Sequence, residues 1–247
     1  MTAAEASELF AKNGFPLDVS RVDMLLGYER LLLDWNTKIN LVSRRETSGL
    51  FLRQIVGSIS FLFSHHLAAG STVLDVGTGG GLPGIPLAVV RPDLGITIVD
   101  SIRKKITAVS AIIAGLGLGN IRAICGRVEE LDPEIVGTFD YIVARGVSSA
   151  SEVVGWCAPL LGAHAAGPRA GAPGPGAPGG PAVPGGRASR STAVPRGSYI
   201  LLKGGDLAGE LESLSETAGG ASITVRSLTV EGAEDSFTEK KIIVVTP

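Results

Sequence analysis

The chain has 247 residues, with 22 Lys and Arg against 24 Asp and Glu, and 45% of it is hydrophobic. That length suits one α/β domain with a sizeable core and some appendage, and the near-neutral charge excludes a strongly basic nucleic-acid binder while leaving room for local basic patches. No apolar run reaches membrane-spanning length, and two cysteines far apart, Cys125 and Cys157, form neither a disulfide framework nor a zinc spacing, so a reduced, cytoplasmic setting is expected. Met1–Lys12 is short, mixed and acidic and does not read as an export signal. Leu25, Tyr28, Leu32 and Trp35 recur at helical spacing with charges between them, which predicts a helix capped by Asp18 or Ser20. A second helix is predicted over Ser48–His66, so residues 1–68 form an N-terminal helical extension. His65 and His66 close an apolar run with no partner ligand nearby in sequence, and no metal site is expected there.

From residue 69 onward, strands alternate with helices. The predicted order is strand Thr72–Val76, helix Pro86–Arg91, strand Ile96–Asp100, helix Arg103–Leu116, strand Ile121–Cys125, strand Tyr141–Ala144 and helix Ser149–Leu161. The composition then breaks. Residues 162–197 are almost only Gly, Pro, Ala, Ser and Arg, with too little apolar bulk to offset their ordering entropy. They read as a disordered insertion that enlarges one surface loop, a change of small entropic cost. Arg169, Arg187, Arg190 and Arg196 lend it positive charge, but a solvated tether is the expected role rather than an RNA contact. The pattern resumes with strand Tyr199–Lys203 and helix Asp206–Thr217. Two last runs, Ala221–Thr229 and Lys241–Thr246, are expected to pair antiparallel.

The most informative stretch is Val73-Leu74-Asp75-Val76-Gly77-Thr78-Gly79-Gly80-Gly81-Leu82-Pro83-Gly84-Ile85-Pro86. An apolar strand stops at glycines, and a proline-led helix follows. Glycine permits a sharp turn and close approach to a ligand, and the free amides at the helix start are expected to face it. Gly79-x-Gly81-x-x-Gly84 formally matches the dinucleotide fingerprint. Asp-x-Gly-x-Gly-x-Gly at a strand end also resembles motif I of the class I S-adenosylmethionine methyltransferases. Asp100, ending the next strand, suits ribose hydroxyls in either class. The expected fold is therefore a Rossmann-like, mostly parallel seven-stranded sheet with helices on both faces, plus N-terminal helices. Its reversed last strand favours the methyltransferase version over a dinucleotide-binding sheet.

Four separated segments together resemble the RsmG (GidB) methyltransferases, which methylate N7 of a guanine in 16S ribosomal RNA. They are Trp35-Asn36-Thr37-Lys38-Ile39-Asn40-Leu41-Val42-Ser43; Asp75 through Leu87 with Arg91-Pro92; Asp100-Ser101 with Lys104-Lys105; and Arg127-Val128-Glu129-Glu130 with Arg145, Trp156-Cys157 and Leu202-Lys203-Gly204. Where such proteins usually carry His-Ile-Leu-Asp-Ser, this chain has Gln54-Ile55-Val56-Gly57-Ser58. The resemblance implies S-adenosyl-L-methionine as cofactor, bound by Asp75, Gly77, Gly79, Gly81, Leu82, Asp100, Val128, Glu129 and Arg145. It makes Arg145 the residue closest to the chemistry. Methyl transfer leaves no room for the usual bidentate arginine grip on guanine O6 and N7, because N7 must stay free. N7 carries no proton at neutral pH, so no general base is required, and orientation in a water-poor pocket carries the reaction.

Lys38, Arg44, Arg45, Arg53, Arg103, Lys104 and Lys105 are candidate contacts to RNA phosphates, which position RNA without reading its sequence. Trp35 suits core packing better than base stacking. The expected partner is 16S ribosomal RNA within a small-subunit particle, met by a monomer without metal or membrane. The alternatives are a methyltransferase with another substrate, a nicotinamide-dependent oxidoreductase, and a cofactor-binding assembly factor that has lost turnover.

Overall fold

The computed structural model describes residues 1–43, 49–162 and 191–247. Helix α1 (Ala3–Lys12) opens with a reciprocal cap between Thr2 and Glu5. Helix α2 (Val19–Lys38) is capped by Asp18, whose carboxylate accepts from the Arg21 amide at 2.9 Å. The helix expected over Ser48–His66 is instead a succession of turns of different pitch. Ser48 lies outside the described residues; Phe51–Val56 is a π-turn, Gly57–Ile59 (α3) a short α turn and Ser60–Phe63 a 3₁₀ turn, and His65–His66 (β1) is extended. The Ser58 hydroxyl donates to the Ile55 carbonyl at 2.8 Å and that of Ser60 to Gly57 at 3.0 Å, competing with a regular ladder.

Beyond this point the elements alternate. They are β2 (Thr72–Val76), α4 (Gly84–Val90), β3 (Gly95–Asp100), α5 (Arg103–Leu116), β4 (Ile121–Cys125), α6 (Pro133–Val136), β5 (Tyr141–Arg145) and α7 (Ala150–Cys157). After the two-residue β6 (Thr192–Ala193) come β7 (Ser198–Gly204), α8 (Ala208–Thr217), β8 (Ser222–Ser227) and β9 (Lys240–Thr246). The seven-stranded sheet runs β4-β3-β2-β5-β7-β9-β8. Neighbours from β4 to β7 are parallel, and β9 lies antiparallel between β7 and β8. Strand order reverses between β2 and β5, the crevice where open α/β sheets take ligands.

Alternation along each strand sends side chains to two cores. Val73, Ile96, Tyr141, Val143 and Ile200 pack with the N-terminal helices, α4 and α5. Leu74, Val99, Ile142, Tyr199 and Ile243 pack with α7 and α8 on the other face. Because both faces are covered, the central strands are mostly apolar, with Asp75 and Thr97 the buried polar exceptions inside β2 and β3, and about 1.5–3 kcal/mol is gained per buried aliphatic side chain.

The sequence placed residues 162–197 in one disordered insertion. Residues 163–190 lie outside the described set, but its two ends are built into the fold. The Gly162 amide donates to the Phe139 carbonyl at 2.8 Å. β6 pairs in parallel with β1, and Val194 is buried, its carbonyl accepting from the Tyr141 hydroxyl at 3.0 Å. Arg196 pairs with Asp140 at 3.7 Å. One apolar side chain and a backbone ladder outweigh a composition that, averaged over the segment, looked unable to order. All these anchors lie at the amino ends of the parallel strands.

Candidate active site

The glycine loop after β2 is held from inside. Asp75 is fully buried; its Oδ2 accepts from the Thr78 hydroxyl at 2.6 Å and from the Gly84 amide at 2.9 Å, while Oδ1 has no partner. Burial pushes this carboxyl up to about 7 against the hydrogen bonds from Thr78 and Gly84. The free amides expected at the start of α4 are therefore not presented to a ligand. Gly84 spends its N–H on Asp75, and every residue of α4 is buried. Gly84 has to be glycine, since a Cβ would stand 2.3 Å from Ile98 Cγ2. Gly77 adopts φ +64°, and a Cβ there would meet Val147 Cγ2 at 2.5 Å.

The N-terminal helices brace the loop from outside. The Tyr28 hydroxyl donates to the Gly80 carbonyl at 2.9 Å. Asn36 accepts from the amides of Leu41 and Val42 at 2.8 and 3.0 Å, folding Leu41 back beside Gly79 and Gly80. The Trp35-Asn36 segment thus belongs to the site as scaffold, with Trp35 packed at the edge of the core.

Two cavities open at the carboxyl end of the sheet. The smaller, about 310 Å³, is bordered by Gly77, Asp100, Lys105, Val128, Glu129 and Trp156 among others. Asp100 accepts from the Gly79 amide at 3.0 Å and the Ile102 amide at 2.9 Å, with Lys105 Nζ at 3.8 Å. A carboxylate has about four lone-pair positions, so each oxygen keeps one for a further donor. Val76, Val99, Val147 and Trp156 supply apolar walls. A strand-end carboxylate beside apolar walls fits the ribose and base of a nucleoside cofactor. Of the residues expected around it, Gly77, Asp100, Val128 and Glu129 come together here. Asp75, Gly79, Gly81, Leu82 and Arg145 do not border it: Asp75 and Gly79 tie the loop, Leu82 packs in the core, and Arg145 borders the other cavity.

The larger cavity, about 540 Å³, is bordered by Arg53, Gln54, Arg145, Lys203, Phe237 and Lys240 among others. Its charge is mostly positive. Lys203 pairs with Glu210 at 2.5 Å and also donates to the Ser148 carbonyl, and Glu210 accepts from the Ala150 amide at 2.6 Å. This network ties the loop after β5 to α8. The Arg145 guanidinium donates to the Gln54 side-chain oxygen and, at 3.4 Å, to the Gln54 carbonyl. Gly146 borders both cavities.

The basic residues expected at RNA scatter. Arg53 reaches the larger cavity and Lys105 the smaller one; Arg103 and Lys104 are exposed. Lys38 pairs with Asp34 at 2.7 Å and stands 4.9 Å over the Trp35 ring. Arg44 and Arg45 lie outside the described residues. Gly146 and Phe237 were not singled out from sequence; a glycine straight after a strand-end arginine was the one available signal. Among the described residues no group of three or more His, Cys, Asp or Glu is placed to hold a metal, and no helix is long and apolar enough to cross a membrane.

This sheet order, with its glycine loop at the switch point, defines a class I methyltransferase fold. The fold also aligns with a chain of a fibrillarin/Nop5p complex at a TM-score of 0.51 and 15% identity, covering 77% of this chain and 82% of that one. Residues 21–166 match the family model described as GidB, rRNA small subunit methyltransferase G. The chain is 33% identical over 244 residues to the ribosomal RNA small subunit methyltransferase G of Chlorobium phaeobacteroides, covering 98% of this chain and 94% of the relative. It is 35% identical over 215 residues to the protein of the same name from Christiangramia forsetii, covering 87% and 85%. The chain belongs to the rRNA small subunit methyltransferase G family.

Proposed function

We propose that this protein transfers a methyl group from S-adenosyl-L-methionine to N7 of a guanine in 16S ribosomal RNA. The observation that carries this reading is the meeting of two cavities at Gly146, one suited to a nucleoside cofactor and the other basic and roomy enough to admit a nucleobase. When bound, the cofactor supplies an electrophilic sulfonium methyl group. Gly77 leaves space for it at the end of β2, Asp100 accepts from its ribose hydroxyls, and the Val128–Glu129 segment borders its adenine. In the larger cavity Arg145, held by Gln54, orients the base and leaves N7 free. No side chain needs to remove a proton, since N7 has none at neutral pH. Rate enhancement then comes from alignment and exclusion of water.

Near-balanced net charge gives a weak non-specific electrostatic pull on RNA. A structured small-subunit particle, met by a monomer in the cytoplasm, adds shape to that pull. Mass spectrometry of ribosomal RNA from cells lacking the protein tests the reading: one methylated guanine should disappear from the small-subunit RNA. An unchanged modification pattern rejects it. Methyl incorporation from labelled cofactor into subunits from those cells also eliminates a role as an assembly factor without turnover.

A further inference from the structure

Gln54 lies within the π-turn Phe51–Val56 and is 6% exposed, yet it borders the larger cavity. Its side-chain oxygen accepts from Arg145. A guanidinium only donates, so this contact settles which end of the amide is which: Oε1 faces Arg145 and Nε2 faces away. Nε2 makes no hydrogen bond among the described residues. It is also absent from the fully occluded side-chain atoms without a partner, which among the described residues are Ser71 Oγ and Asp75 Oδ1. A nearly buried amide therefore turns a neutral donor toward the cavity.

We propose that Gln54 is a specificity-determining residue, whose Nε2 donates to the O6 carbonyl of the purine being methylated. The proposal rests on the reading of the larger cavity as the nucleobase site. Guanine carries an acceptor at position 6, whereas adenine carries an amino donor there. A donor fixed by Arg145 satisfies the first and opposes the second, and two donors facing each other beside a nearly buried amide are costly. The contact uses O6 alone and leaves the N7 lone pair available. Besides orienting the base, Arg145 holds the amide, and the amide reads position 6.

The test separates holding from reading. Gln54→Glu keeps an acceptor for Arg145 but replaces the Nε2 donor with a second acceptor. Gln54→Leu removes both. The methylated guanine is first mapped with the parent enzyme. It is then replaced singly by inosine, which retains O6, or by 2-aminopurine, which lacks it. The parent should methylate inosine at least about tenfold faster than 2-aminopurine, the scale of one lost hydrogen bond. Gln54→Glu should lower kcat/KM on guanine at least tenfold and remove the preference for inosine. Its cofactor affinity and melting temperature should match the parent's. Turnover by Gln54→Glu at the parent rate on guanine overturns the proposal, as does a preserved preference for inosine. If Gln54→Leu fails to fold, Gln54→Glu decides alone. A parent enzyme that methylates no ribosomal RNA removes the proposed function itself, a result distinct from either outcome for Gln54.

Discussion

Tyr28, in the second helix, donates its hydroxyl to the backbone carbonyl of Gly80, 52 residues away in the cofactor loop. Both residues are buried. The N-terminal helices are therefore part of the loop's support as well as of the core. Tyr28→Phe leaves the Gly80 carbonyl buried without that donor, and should cost about 1–3 kcal/mol in chemical denaturation. The same change should weaken cofactor binding measured by calorimetry. Unchanged affinity would show that the loop keeps its shape without this brace.

Gly84 stands where β2, β3 and the start of α4 converge. A methyl group there meets Ile98 Cγ2 at 2.3 Å and Asp75 Oδ2 at 2.7 Å. Gly84→Ala should destabilise the protein by about 1–3 kcal/mol through overpacking. Ala at Gly155, inside α7 where nothing lies within 4 Å, is the matched control and should slightly raise the melting temperature through helix propensity.

Asp75 makes stability depend on pH. Burial raises its folded value from 3.8 to about 7, so the folded state binds more protons than the unfolded one between those limits. Stability should therefore fall as pH rises from about 4 to about 7 and level off above. Asp75→Asn keeps an acceptor for Thr78 and Gly84 and does not titrate. Its urea-unfolding free energy should change less with pH over this window than the parent's. Parallel curves for the two proteins would rule out Asp75 as the source.

Arg145 borders the larger cavity and not the smaller one. Arg145→Ala should lower methyl incorporation by about a hundredfold, the scale of one lost orienting or charge-stabilising group. Cofactor affinity should stay within about threefold. Equal turnover in mutant and parent would take Arg145 out of the site.

The residues flanking 163–190 are anchored at the amino ends of the strands, Gly162 to Phe139 and Thr192 to Ser64. The two cavities lie at the carboxyl ends. Replacing 163–190 by a short Gly/Ser linker should leave cofactor affinity intact, and turnover assays should show whether the arginines in it matter.

Much of the fold was legible along the chain. Apolar runs marked each parallel strand, and the Asp75–Gly84 loop announced itself through glycine chemistry that no other residue type supplies. That Asp100 and the Val128–Glu129 segment border the cavity at the sheet's carboxyl end was legible because strand ends line the crevice in any doubly wound sheet. The Ser48–His66 region was not, because serine back-bonding at Ser58 and Ser60 changes the helical pitch without disturbing the apolar pattern. The packing of the Leu82 side chain in the core was not legible in the sequence.

Hydrophobic period and turn chemistry are properties of neighbouring residues, so the sequence by itself determined the alternating elements, the sheet class and the glycine loop. Tertiary structure alone decided that Asp75 points inward and Gln54 meets Arg145. It also decided that Gly146 borders two cavities and that Val194, beyond the glycine-proline tract, is buried with its carbonyl on the Tyr141 hydroxyl. Packing of the turn that carries Gln54 against the end of β5 brings such residues together from 91 positions apart, as with Gln54 and Arg145. No local pattern encodes which distant side chain will fill the space beside them.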